Sequence, residues 1–154
     1  MKSFAIAVVT LALASCGQPP PPPVAPTLPA HAQISDRVHG KVAVLDFWAS
    51  WCDDCRRTIP QVARLHAAYA SDGLVVVGVN AGEAEPDARR SAAELGIDYD
   101  IALDPELAFS DSVGATALPT LLVVDRDGKI VHRARHVDED TLAIIRSLLH
   151  PPPQ

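Results

Sequence analysis

Two cysteines three positions apart, in Trp51-Cys52-Asp53-Asp54-Cys55, stand where a hydrophobic run, Val42 to Trp48, gives way to an amphipathic stretch. Such a pair reads as a reversible dithiol/disulfide centre. A disulfide across so short a loop removes little entropy from the unfolded chain, so as a staple it would stabilise the fold poorly. Its value is chemical. Cys52 falls at the expected start of the helix, where unpaired N–H groups and the macrodipole favour a thiolate over a thiol. Half of a zinc site is the competing use of the motif. A four-ligand site needs further Cys or His at suitable spacing, and none is evident in the sequence.

The elements that must hold this pair follow from patterning. Val42 to Trp48 is nearly all apolar, as in a strand covered on both faces of its sheet. A helix is predicted from Cys52 to Ala70, with Ile59, Val62, Leu65 and Tyr69 at helical spacing and a kink at Pro60. Leu74 to Val79 reads as a second buried strand, followed by a helix over Pro86 to Leu95 and an extended piece over Tyr99 to Leu103. A short helix is expected from Pro105 to Val113, with Asp104 as its cap and Pro105 at its first position. Pro119 to Val124 and Lys129 to His136 form a hairpin around Asp125-Arg126-Asp127-Gly128. A last helix, capped by Asp138, presents Leu142, Ile145, Leu148 and Leu149 to the core. The order predicts an α/β fold: a mixed central sheet with helices on both faces, spanning residues 34–150.

The N-terminal part reads as address and tether. Lys2 precedes an apolar run from Phe4 to Ala14, far short of the roughly 20 residues of a spanning helix, so residues 1–15 are read as a signal peptide. The run ends in Leu13-Ala14-Ser15-Cys16, which resembles the bacterial lipoprotein box and makes Cys16 the expected lipid attachment. Residues 17–33 are proline-rich and open with Pro19 to Pro23, a stiff spacer reaching roughly 50 Å at about 3.1 Å per residue. Residues 151–154 are expected to be a disordered tail. The chain carries 13 Lys and Arg against 19 Asp and Glu; without Lys2 the balance is near −7 (twelve against nineteen), which argues against nucleic acid as a partner. With Cys16 lipidated, Cys52 and Cys55 are the remaining thiols for an intramolecular disulfide, and outside the cytoplasm they stay reduced only if something supplies electrons.

The run Gly40 to Arg56 with Pro60, then Val79-Asn80-Ala81-Gly82-Glu83, then Gly114 to Thr120 leading into Asp125-Arg126-Asp127-Gly128, resembles the thioredoxin fold. The specific likeness is to exported, membrane-tethered thiol:disulfide oxidoreductases of the TlpA/ResA type, which carry an insertion between the second strand and Pro119. It covers nearly everything from Ile34 to Leu149. The resemblance implies that Cys52 attacks a client disulfide and Cys55 resolves the mixed disulfide. It makes Asp46 the candidate base for the Cys55 proton; burial beside Leu45 and Phe47 would raise its pKa toward the working range. Many such relatives carry asparagine there, so this chain departs toward thioredoxin. Glu83 matches a glutamate that faces the disulfide in ResA-like members. Pro119 resembles the cis-proline of the fold and leaves the Leu118 backbone open to an extended substrate, a form of strand addition. Trp51 is expected to shield a flank of the cysteines and to add contact surface, Trp48 to pack.

No cofactor beyond the Cys52–Cys55 disulfide is implied. The implied partners are a disulfide-bearing client, a membrane dithiol electron donor of the DsbD/CcdA type, and the membrane itself through the lipid; a monomer facing the periplasm or cell exterior is expected. Relatives act so in cytochrome c maturation. Asp53 and Asp54, where relatives more often have a proline, would oppose a thiolate at Cys52 and so favour a reducing centre. Arg56 and Arg57 could offset them, and His132 to His136 reads as a charged edge that blunts aggregation. Two other activities stay open. A peroxiredoxin-like thiol peroxidase would want a Thr/Pro-rich loop before its nucleophile, unlike Ala49-Ser50-Trp51. A copper-handling chaperone on this fold would want three residues between the cysteines and an added histidine.

Overall fold

In the computed structural model, residue 28 and residues 31–151 are described. The leader, Cys16, most of the proline-rich stretch and the tail from residue 152 lie outside the described residues. Five strands form one mixed sheet: β1 (Ala43–Trp48), β2 (Val75–Ala81), β3 (Asp100–Asp104), β4 (Thr120–Val124) and β5 (Ile130–Ala134), in the order β3-β2-β1-β4-β5. β1, β2 and β3 run parallel; β4 pairs antiparallel with β1, and β5 antiparallel with β4. Every residue of β1 is buried, because helices cover both faces of the strand at the centre of the sheet.

Alternation along β1 sorts the two cores. Ala43, Leu45 and Phe47 pack with Ile34 and Val38 of helix α1 (Ala32–Val38) and with Phe109 of α4 (Ala108–Ser112). Val44 faces the other way, toward Val62 and Leu65 of α2 (Cys55–Tyr69) and Ile145 and Leu149 of α5 (Glu139–Leu149). Trp48 forms a third cluster with Cys52, Cys55 and Ile59, joined by Ala92 of α3 (Glu85–Glu94). Asp46 shares its face with Val44 and Trp48, so the one ionisable residue of β1 lies on the side of the helix that carries Cys55.

Several expectations need correction. Helix α1 is absent from the sequence reading and starts inside the stretch read as tether. Leu28, in the same stretch, donates its N–H to Gly128 O at 2.8 Å and packs on the first core. Seven residues with two buried apolar anchors, Ile34 and Val38, are too few to register as periodicity. Helix α2 begins at Cys55, not Cys52. Helix α4 begins at Ala108, because Leu107 takes φ 61° and turns the chain back on itself. Asp104 does serve it, from farther off: its carboxylate accepts from Phe109 N (3.1 Å), Ser110 N (2.7 Å) and Ser110 Oγ (2.6 Å). The stretch assigned to the central insertion, between β2 and Pro119, folds as α3, β3 and α4. The Asp138 cap is as expected, accepting from Thr141 N.

One glycine sits where no side chain fits. Gly78 of β2 lies opposite Asp46 in register, and a Cβ there would be 3.0 Å from Trp48 Nε1 and 3.1 Å from Tyr99 Cε2. Both rings are buried, and each would have to give by a few tenths of an ångström to admit a methyl group. Gly78→Ala is therefore expected to lose about 1–3 kcal/mol in urea denaturation; an unchanged midpoint would show that the rings have room.

Candidate functional site

The site is built where β1 ends. Ala49 to Asp54 form a tight connection, with Cys52 N donating to Ala49 O and Cys55 N to Cys52 O, each at 3.1 Å. Cys52 and Cys55 are joined as a disulfide with their Cα atoms 5.2 Å apart. Cys52 is 6% exposed and Cys55 wholly buried. The N–H of Cys55, the first residue of α2, donates to Cys52 Sγ at 3.1 Å. Although Cys52 precedes the helix, its sulfur therefore shares with its own carbonyl an N–H of the helix start, the kind of donor that stabilises a thiolate.

Asp46 is fully buried. Its Oδ2 accepts from Tyr99 Oη at 2.7 Å, and its Oδ1 is buried with no partner. Burial pushes the carboxyl up to about 6, against the pull of the Tyr99 hydrogen bond. The sequence reading has Tyr99 only as the start of an extended piece, not as a site residue: its partner lies 53 residues away, and nothing local to Asp98-Tyr99-Asp100 signals the pairing.

Glu83 is engaged elsewhere in the loop. It accepts from Ser50 N (2.8 Å), Asn80 Nδ2 (2.7 Å) and Ser50 Oγ. Partial burial works against its charge, but the Ser50 and Asn80 hydrogen bonds prevail and hold the carboxyl below its ordinary range. Ionised and fully occupied, it ties the residue before Trp51 to the end of β2.

The Leu118–Pro119 bond is cis. The Leu118 carbonyl, which the resemblance leaves open to a substrate, accepts from Arg135 Nη2 at 2.9 Å. Arg133 caps two carbonyls earlier in the same segment, Val113 O at 2.6 Å and Gly114 O at 3.1 Å. The arginines read as a charged edge are thus also clamps on the loop that carries Pro119. Trp51 is 68% exposed and, with Leu107 and Leu118, lines an open hollow of about 300 Å³.

The acidic pair between the cysteines is balanced. Asp53 lies 3.9 Å from Arg56 Nε. Asp54 pairs with Arg57 and lies 4.0 Å from Arg135. All five side chains are more than half exposed, so neighbouring cations and solvent offset the opposition to a thiolate that the sequence led us to expect.

Asp46 yields a pH signature. Its folded-state pKa lies above its ordinary value of 3.8, so stability is highest where it is protonated and falls as pH rises from about 4 to about 6. Holding the charge inside costs about 3 kcal/mol above that range. Asp46→Asn is expected to be more stable than the wild type at pH 8 by up to about 3 kcal/mol, with the gain vanishing below pH 4. Urea denaturation at both pH values checks this; a gain independent of pH would contradict it.

A model of the family described as Redoxin matches residues 21–149. Thiol-disulfide oxidoreductase ResA of Halalkalibacterium halodurans is 32% identical over 94 residues, covering 61% of this chain and 53% of that protein. ResA of Bacillus subtilis is 29% identical over 99 residues, covering 64% and 55%. The chain spans about half the length of the curated relatives it matches. A crystal structure of a candidate thiol:disulfide interchange protein DsbE from Chlorobium tepidum superposes with a TM-score of 0.72 at 30% identity, covering 82% of this chain and 97% of that one. The mixed sheet with its flanking helices is thus a thioredoxin fold, as the sequence resemblance implied. The chain belongs to the Redoxin family, and within it resembles the ResA-type thiol-disulfide oxidoreductases.

Proposed function

We propose that this protein is a thiol:disulfide oxidoreductase that reduces protein disulfides outside the cytoplasm. The observation that carries the reading is the asymmetry of the sulfurs on a face that also holds a buried acid: Cys52 keeps 6% exposure and follows the exposed Trp51, while Cys55 and Asp46 are wholly buried. In the reduced protein, Cys52 as thiolate attacks one sulfur of a client disulfide, and the other client sulfur leaves with the bonding pair. Cys55 gives its proton to Asp46 and attacks Cys52, releasing the second client thiolate and closing the Cys52–Cys55 disulfide. Two electrons pass to the client. A membrane dithiol of the DsbD/CcdA type restores them by the same exchange in reverse.

The leader-like run and Cys16 support export and a lipid anchor, with the proline-rich stretch as the spacer that lets a monomer face the periplasm or cell exterior. Cytochrome c maturation is the setting in which relatives of this type work, and an apocytochrome disulfide is a fitting client. Trp51, Leu107 and Leu118 offer an apolar client segment its contact surface next to Pro119, and Glu83 holds the loop beneath it.

The reduced protein is expected to precipitate insulin by cleaving its disulfides, and Cys52→Ser to abolish this. Cys55→Ser is expected to stall as a mixed disulfide on Cys52, visible by non-reducing electrophoresis and mass spectrometry; no trapped adduct and no insulin cleavage would sink the reading. Leu107→Ser is expected to raise KM for a peptide disulfide several-fold with kcat unchanged, as a residue that only holds substrate should.

A further inference from the structure

Asp46 has two oxygens in different circumstances. Oδ2 is held by Tyr99, and Oδ1 is buried with no hydrogen-bond partner. A buried carboxylate oxygen left unpaired is costly unless the molecule uses it. The slot that admits the Tyr99 ring exists because Gly78, opposite Asp46 across the β1–β2 ladder, has no side chain. A phenol that reaches over the strand to one oxygen fixes the plane of the carboxyl group and leaves the other oxygen for a proton.

We propose that Tyr99 is the positioning residue of the resolving step: it holds Asp46 Oδ2 so that Oδ1 is the atom that takes the Cys55 proton. The proposal rests on the oxidoreductase reading and adds a residue to it. In the mixed disulfide, the S–H bond of Cys55 breaks and its proton goes to Oδ1. The Cys55 thiolate forms the bond to Cys52 Sγ as the bond to the client sulfur breaks, and the client leaves reduced.

The surroundings make Tyr99 the one strong lever on this carboxyl among the described residues. Across the sheet, β2 and β4 place Gly78 and Leu121 opposite it, neither ionisable. On α2, His66 stands against the edge of the Tyr99 ring with centroids 6.2 Å apart; the same helix carries Cys55, Cys52 lies just before it, and Asp98 adjoins Tyr99 in sequence. Burial, then the charge of Asp46, push the Tyr99 hydroxyl well above its ordinary range, so it stays a donor wherever Asp46 titrates.

A hydrogen bond donated to a carboxylate favours the anion, so its removal must raise the proton affinity of Asp46. In full-length protein, the Asp46 carboxyl is followed from pH 4 to 9 by carbon-13 NMR, assigned with Asp46→Asn. Tyr99→Phe keeps the ring and is expected to move the midpoint up by about one pH unit. Release of insulin from Cys52, timed by stopped flow, is then expected to be slowed about five-fold near pH 6 by the raised midpoint and to stay several-fold slow above pH 8.5, where only the lost positioning acts; a rate that matches the wild type above pH 8.5 overturns the positioning role. A midpoint and rate profile that do not move overturn the proposal even while insulin is reduced. Failure of the wild type to reduce insulin overturns the oxidoreductase reading instead. The wild type supplies an independent check should Tyr99→Phe fold poorly: the Tyr99 ζ-carbon signal must shift with the Asp46 midpoint and become flat in Asp46→Asn. A Tyr99 signal already flat in the wild type overturns the proposal.

Discussion

A carboxyl group inside the central strand of the sheet is the constraint around which this domain is arranged. Asp46 interrupts a strand that is otherwise built to be covered on both faces, and its burial works against folding whenever it is ionised. The neighbours are chosen accordingly. Gly78 gives up its side chain so that Tyr99 can reach over, Trp48 packs against the same gap, and helix α2 sets Cys55 in the Trp48 cluster. A well-packed apolar residue at position 46 would serve stability better, which is the usual sign that a buried acid is retained for chemistry.

Much of this was legible in the chain because the decisive signals are local. The cysteine pair, the apolar strand before it, the proline at 119 and the Asp125 to Gly128 turn each announce themselves within a few residues. What was not legible depends on distance along the chain. Tyr99 meets Asp46 across 53 residues, and Arg135 meets the Leu118 carbonyl across 17. Helix α1 was missed because it owes its existence to Phe47 and Phe109 rather than to its own periodicity. Glu83 was visible as an acid near the site, but only the fold shows that Ser50 and Asn80 occupy it and hold it charged.

Charge at the rim of the site follows a different rule from charge beneath it. Asp53 and Asp54 look like an electrostatic burden on a thiolate when read as letters, yet each has an arginine one helical turn on, and Arg135 approaches Asp54 from just past the end of β5. Exposed pairs of this kind are worth little individually and are screened by salt. The polarity of the centre is therefore set by the Cys55 N–H aimed at Cys52 Sγ and by the buried acid, both shielded from solvent.

The guanidinium of Arg135 on the Leu118 carbonyl has a consequence for any chain that settles along this edge. A visiting strand finds one of that acceptor's two lone pairs already engaged, so pairing there must share the carbonyl with the guanidinium. Grip must then come from greasy contact with the neighbouring indole and leucine, which is indifferent to sequence detail. On the function proposed above, such a berth would hold its guest briefly, long enough for sulfur to change hands and short enough to make room for the next.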